Sequence, residues 1–150
     1  MEVIEILGEK GNAVETATAD MKVRDIVGKL AARKIGAIVV AGPNGEPAGI
    51  ISERDIVRGL ATEGPEILDR PASEIMTANV ETCGPSDDIT ELMMKMVFGR
   101  FRHLPVLEGA RMVGIVSVGD IVKGALRDLK IKTDIIQGYI IQPYADQSPD

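Results

Sequence analysis

The residues best placed to do chemistry are Ser52-Glu53-Arg54-Asp55 and Ser117-Val118-Gly119-Asp120. Each puts a hydroxyl, and three residues later a carboxylate, where a short apolar run (Gly49-Ile50-Ile51 or Gly114-Ile115-Val116) gives way to a helical pattern. A helix start presents unpaired amides and the positive end of the peptide dipoles, so an anion held there gains hydrogen bonds without a side-chain charge. Phosphate is the natural guest. Ser52 and Ser117 add a hydroxyl donor, and Arg54 stands in the first turn, where a guanidinium can grip phosphate oxygens in a fork. Asp55 and Asp120 offer acceptors for a pair of vicinal hydroxyls. The same spacing is close to a capping box, in which Ser closes the helix start and the acid at N3 reaches back to the cap amide. The residues alone leave both readings open. Carboxylates turned inward on their own amides, with no cavity beside them, would remove the first.

Those two corners belong to one block written twice, since residues 49–59 return nearly intact as 114–124. Upstream, Val14-Glu15-Thr16 answers Val80-Glu81-Thr82 at an offset of 66, and Val23, Ile26, Val27, Leu30 and Ala31 fall on Ile89, Leu92, Met93, Met96 and Val97. That is one apolar helix face at i, i+3, i+4, i+7 and i+8 in each copy. The turn Gly42-Pro43-Asn44-Gly45 is one residue longer than its partner around Glu108-Gly109, so the offset then falls to 65. Two units are too few for a solenoid and read as halves of one pseudo-symmetric domain. We place the first repeat at 1–66, the second at 67–130, and a C-terminal helix and polar tail at 131–150.

In each half the pattern predicts a brief strand (14–16 and 80–83), a helix (20–34, with Asp20 as N-cap, and 88–99), a hairpin (36–40 with 48–51, and 102–107 with 112–117) and a closing helix from Ser52 or Val118. Residues 1–12 read as a short amphipathic turn ending at Gly8. The stretch from Glu63-Gly64-Pro65 to Asp69-Arg70-Pro71 reads as a short linker. Beyond the second closing helix, Leu129, Ile131, Ile135, Ile136 and Ile140 extend an apolar stripe that has no counterpart in the first copy. It must cover the repeat pair or a second subunit. The tail 143–150 is expected to fray.

Composition narrows the function classes. The 150 residues carry a net charge of −6, with 45% hydrophobic and only 3% aromatic residues and no Trp. An acidic chain without stacking platforms argues against nucleic acid and anionic lipid as partners. No apolar run approaches the length of a membrane helix, the N-terminus has no leader pattern, and the lone Cys83 cannot close an internal disulfide. A cytoplasmic protein is the expectation. With one His and one Cys no metal site is expected, and no nucleophile-base pair or phosphate-cradling loop supports catalysis. Arg58, Arg100 and Lys123 read as solvated positions, and Met93 and Met96 as core or dimer packing with Met94 out of phase.

Taken together, the paired strand openers, the helices, Gly36-Ala37-Ile38-Val39-Val40 with Arg102-His103-Leu104-Pro105-Val106, and the Gly-apolar-apolar-Ser-x-x-Asp closers resemble the tandem cystathionine-β-synthase-type (CBS) domain pair, or Bateman module. The match covers about residues 3–126 and looks most like the small stand-alone bacterial type. The resemblance implies an α+β fold: a pseudo-twofold pair of βαββα units, dimerising into a disc. It also implies a non-catalytic regulatory, energy-sensing module whose clefts take adenine-containing ligands such as AMP, ADP, ATP, NAD(H) or S-adenosylmethionine. The module would signal to a regulated protein by a conformational shift. By that resemblance Asp55 and Asp120 hold ribose hydroxyls and Ser52 and Ser117 face phosphate. Backbone near Val14, Thr16, Val80 and Thr82 reads the adenine edge, and Ile38 and Leu104 wall the ring. Arg102 and His103, just before Pro105, contact phosphate. Arg54 is answered by Gly119, Arg102 by Gly36 and His103 by Ala37, so unequal clefts are expected. The alternative is a dimerisation scaffold that needs no nucleotide.

Overall fold

Branched aliphatic residues at 37–41 and 47–52, joined by a turn whose Gly45 takes a φ of +81° that other side chains resist, must pair as a hairpin, and they do. The computed structural model describes residues 1–11 and 13–146, the stretch 139–146 by backbone alone. In chain order the elements are α1 (Val3–Lys10), β1 (Thr16–Ala17), α2 (Val23–Arg33), β2 (Ala37–Ala41), β3 (Pro47–Ser52) and α3 (Glu53–Glu63). Next come a 3-10 turn (Pro65–Asp69), α4 (Ala72–Ile75), α5 (Ile89–Gly99), β4 (His103–Glu108), β5 (Arg111–Ser117) and α6 (Val118–Asp146). β1 runs parallel to β2, which pairs antiparallel with β3; β4 and β5 form the second hairpin. The architecture is α+β, as the resemblance implied.

Each sheet has its own core, and the cores do not follow the order of the chain. One gathers Val23, Ile26 and Leu30 of α2 against Ile38, Val40 and Ile51, and is closed by Ala72, Ile75 and Met76 from around α4. The other gathers Ile89, Leu92 and Met96 of α5 against Leu104, Val106, Val116 and Ile121, and is closed by Val3, Ile6 and Leu7 from the N-terminal helix. Thus α1, first in sequence, seals the sheet built last. Close approach makes this possible: a Cβ on Gly114 would sit 2.7 Å from Leu7 Cδ2, and one on Gly49 would sit 2.4 Å from Met76 Sδ.

Several local expectations are corrected. The N-terminal element is a helix through Gly8 to Lys10, not a turn ending at Gly8, because Ile6 and Leu7 are buried on one face of it. Asp20 is not the cap of α2: it accepts from the Thr18 hydroxyl, while the helix starts after Lys22 and Val23 N–H donates to the Arg70 carbonyl. A neighbouring backbone segment thus supplies the acceptor a side chain was expected to give. The predicted linker is part of the structure, with Ile67 fully buried. The first strand begins at Thr16 rather than Val14. Its counterpart at 80–83 shrinks to a single parallel bridge, Cys83 to Val106.

The C-terminal stripe belongs to one continuous helix, so 143–146 is helical rather than frayed, and 147–150 lie outside the described residues. Val27, Ala31 and Val97, expected on the buried faces, are exposed at their outer edges. Among the described residues no helix is long and apolar enough to cross a membrane.

If α1 is a structural part of the second core, Leu7→Ala removes buried volume from that core and lowers unfolding free energy by about 2–5 kcal/mol. Urea denaturation measures this. Hydrogen exchange should show amide protection falling in β4 and β5 before β2 and β3.

Candidate functional site

The geometry begins where β3 becomes α3. Ser52 keeps the extended backbone of the strand while its hydroxyl accepts from the Asp55 amide at 3.2 Å. Asp55 Oδ2 in turn accepts from the Ser52 amide at 2.9 Å and from the Ser52 hydroxyl at 3.0 Å. The capping box is therefore real, and the serine hydroxyl is committed to it rather than aimed at a phosphate. One oxygen of Asp55 does all of that. The other, Oδ1, has only the Thr77 hydroxyl at 3.5 Å and an Arg58 guanidinium nitrogen at 4.0 Å, so it keeps acceptor capacity.

The second corner repeats the box, with Ser117 N–H donating to Asp120 Oδ2 at 2.8 Å and Asp120 N–H to the Ser117 hydroxyl at 3.1 Å. A further group arrives there. Lys10 Nζ donates to the same Oδ2 at 2.6 Å and to the Ile115 carbonyl at 2.9 Å. Burial alone would push the Asp120 carboxyl up, but the Lys10 ammonium and the Ser117 amide and hydroxyl outweigh it and hold it below the ordinary carboxylate value.

A cavity of about 420 Å³ opens on the Asp55 side, within the range of small-molecule sites. It brings together Ser52, Arg54, Asp55, Val80, Arg102 and His103 of the expected residues. Val14, Thr16, Ile38, Thr82, Leu104, Pro105, Ser117 and Asp120 are not in its lining. Ile38 and Leu104 are fully buried in the two separate cores. The Thr16 carbonyl accepts from Lys29, and the Pro105 carbonyl from the Cys83 amide.

Residues that the sequence pattern does not single out complete the wall. Arg58 and Arg100, read as solvated, line it, as do Thr77, Asn79, Glu81 and Phe101. Arg100 and Asn79 both sit at positive φ (59° and 56°), a conformation that turns the chain sharply. Arg100 ends α5 in the left-handed region just as Lys34 ends α2, 66 residues earlier, and that equivalence was the available signal.

Electrostatically this wall departs from the rest of the molecule. Four arginines (54, 58, 100 and 102) face three carboxylates (Glu53, Asp55 and Glu81), leaving one net positive charge inside a chain of −6. Burial, helped by the Lys10 and Arg102 charges and opposed by Asp120 and Glu53, pulls His103 below its ordinary value, so the imidazole is neutral at pH 7. It lies across from the first copy, its Nε2 3.7 Å from where a Cβ on Gly36 would be. Burial pushes the Cys83 thiol up to about 12, with Asp87 adding to the effect, so it is an inert packing group. No set of three His, Cys, Asp or Glu side chains among the described residues is placed to hold a metal ion. What the wall can do is accept a hydroxyl at Asp55 Oδ1 while guanidinium groups meet an anion nearby.

Comparison with known proteins identifies the fold that carries this cavity. The family model of the CBS domain matches twice, over residues 12–62 and 72–127. A crystal structure of the CBS-domain containing protein ATU1752 from Agrobacterium tumefaciens is 41% identical, with a TM-score of 0.80, and covers 83% of this chain and 99% of that one. The CBS domain pair of protein MJ0100, solved in complex with 5-methylthioadenosine and S-adenosyl-L-methionine, is 27% identical, with a TM-score of 0.73, and covers 82% of this chain and 94% of that one. The CBS domain-containing protein CBSX3, mitochondrial, of Arabidopsis thaliana is 29% identical over 146 residues, 92% of this chain and 71% of the relative. Against the Arabidopsis CBSCBSPB relatives the chain spans only 18% to 20% of their length. With two matched repeats covering more than half of its residues, and with the duplicated strand, helix and hairpin order in place, the chain belongs to the CBS-domain family as a tandem pair.

Proposed function

We propose that this chain is a non-catalytic, cytoplasmic sensor that binds a phosphorylated adenine nucleotide in the Asp55 cavity and passes the occupancy of that cavity to a regulated protein. The observation that carries the reading is the juxtaposition of four arginines with Asp55 Oδ1, the carboxylate oxygen outside the capping box. A ribose hydroxyl donates to Asp55 Oδ1, and phosphate oxygens meet Arg54, Arg58, Arg100 or Arg102. Charge orders the candidates. AMP, ADP, ATP and NAD(H) bring the anion that a positive wall favours, whereas S-adenosylmethionine brings a sulfonium cation. The ligand-bound MJ0100 pair supports adenosine-bearing molecules as a class. Signalling requires that the nucleotide prefer one packing of the halves, and the cavity is suited to this because its wall is drawn from both copies: Arg54 and Asp55 from the first, Arg100 to His103 from the second.

We further propose that the module works as a homodimer. Met94, Val97 and Phe98 on α5 are 57%, 67% and 79% exposed, and Val122, Leu126 and Leu129 continue an uncovered apolar surface on α6. The second reading is a dimerisation scaffold without ligand, favoured by the closed capping boxes, which account for both Ser-x-x-Asp motifs without a nucleotide.

The two readings separate experimentally. An adenine nucleotide at 100 times its Kd adds about 2.7 kcal/mol to stability, so melting curves with AMP, ATP, NADH and S-adenosylmethionine should move for the phosphorylated ligands. A flat response across all four favours the scaffold. Asp55→Asn keeps an acceptor for the cap amide but loses the charge, and should weaken AMP binding by about ten- to a hundredfold in calorimetry with little loss of melting temperature.

His103 supplies a pH signature. A bound phosphate raises its depressed pKa, so binding takes up a proton at pH 6, and the difference between wild type and His103→Gln removes the titration of the phosphate itself. In the free protein the sign is opposite. Because the folded state resists charging His103, its contribution to stability is full above the ordinary histidine pKa and falls as pH drops below it.

Phe98→Glu should convert the dimer to a monomer in sedimentation at micromolar concentration with the second core intact; an unchanged sedimentation coefficient would place the interface elsewhere.

A further inference from the structure

The two acidic corners are built alike but finished differently, and the difference lies in the path the chain takes on leaving the residue that seals each sheet. Leu7 fills the notch at Gly114 as Met76 fills the notch at Gly49, so the two residues are counterparts. After Met76 the chain leaves its helix. The Thr77 amide donates to the Ile50 carbonyl at 2.9 Å, and the Thr77 hydroxyl lies 3.5 Å from Asp55 Oδ1. After Leu7 the helix continues to Lys10 and keeps its amides for its own turns. The Ile115 carbonyl, counterpart of the Ile50 carbonyl, then needs another donor. Lys10 Nζ provides it at 2.9 Å and bonds Asp120 Oδ2 at 2.6 Å. One ammonium thus serves the carbonyl counterpart that Thr77 serves in the first half and also meets the carboxylate, at the capping-box oxygen Oδ2 rather than at the counterpart of Asp55 Oδ1.

We propose that Lys10 is an intramolecular plug in the Asp120 corner, so that each chain takes one nucleotide, at Asp55. This rests on the nucleotide reading of the Asp55 cavity and adds its stoichiometry and the residue that sets it. A sugar hydroxyl approaching Asp120 therefore meets a carboxylate whose charge the Lys10 ammonium already neutralises, and displacing that ammonium would leave the Ile115 carbonyl without its donor. That side has fewer cations to offset the displacement with phosphate contacts, because the positions answering Arg54 and Arg102 are Gly119 and Gly36, leaving only Lys123 and Lys34 to answer Arg58 and Arg100. The helix that carries Lys10 is itself pinned by Leu7 at Gly114 and by Ile6, which stands 3.1 Å from where a Cβ on Gly124 would be, so the ammonium is delivered from a fixed base.

The test is the number of AMP molecules bound per chain, by equilibrium dialysis and calorimetry on the full-length protein. Wild type should bind one, and Asp120→Ala should leave its affinity within about twofold. Lys10→Met should bind two, the second lost again in the Lys10→Met, Asp120→Ala double variant, while Lys10→Arg, which keeps a cation on a stem of similar length, should stay at one. Circular dichroism on Lys10→Met verifies that α1 is retained. Two sites in wild type, or one in both wild type and Lys10→Met, would overturn the plug and leave the nucleotide reading standing. Loss of a wild-type site in Lys10→Met would make Lys10 a ligand contact, also against the plug. No AMP bound by any variant would overturn the nucleotide reading and the plug with it.

Discussion

A helix that begins at the last residue of a strand leaves several amides without partners, and here they must be met inside a cleft rather than by bulk water. Ser52 and Asp55, and again Ser117 and Asp120, meet them with a reciprocal pair of bonds. The proposed function depends on how little of the carboxylate this consumes. A carboxylate has two oxygens and about four acceptor directions, and the box uses one oxygen. The remaining oxygen is held rigidly at the cleft wall by the bonds made to its partner, which is the pre-organisation a weakly polar hydroxyl needs if it is to be recognised against water. Capping and sugar binding look like rivals in the sequence, but at Asp55 the first leaves, and positions, the oxygen that the proposed second would use.

The same constraint explains why the halves interlock. Helix starts that lack a side-chain cap borrow carbonyls from distant chain, α2 from Arg70 and α5 from Met1, and α1, whose cap amide Glu5 meets, borrows a further one from Asp87. Those bonds require the sealing segments to lie across the sheets, and glycines at 49 and 114 let them do so. Each sheet of two or three strands is too small to close a core alone. Sealing by α4 on one side and by α1 on the other turns two incomplete units into one structure.

The elements are legible wherever the signal is local. Hairpins, the α3 and α6 starts and the buried stripes of α2 and α5 come out of periodicities two and 3.6. Legibility fails where a distant segment decides the outcome. Asp20 looks like a cap, yet the Arg70 carbonyl takes that role; residues 80–83 look like a strand, yet only Cys83 finds a partner. At the site, Arg54, Asp55, Arg102 and His103 are found because the motif itself names them. Arg58 and Arg100 escape because one turn of helix and one left-handed residue decide whether a guanidinium faces water or the cavity, and neither is written in residue type. The repeat also misleads in one respect. It implies that Asp120 behaves as Asp55 does, while Lys10, outside both matched blocks, makes them unlike.

Duplication followed by such local divergence has a physical logic. Two equivalent corners would each hold a ligand with similar affinity, and the protein would respond to a doubled occupancy without preferring either half. Concentrating arginines from both copies at one corner, in a chain whose overall charge repels anions, gives that corner the local positive charge that the proposed phosphate would need. The neutral, desolvated His103 of β4 sits beside Gly36 of the first copy, where the proposed anion would favour its protonated form. An anion that both bridges the halves and charges a residue between them binds one packing better than the other, and that difference in affinity is the only means by which a ligand can shift a conformational equilibrium.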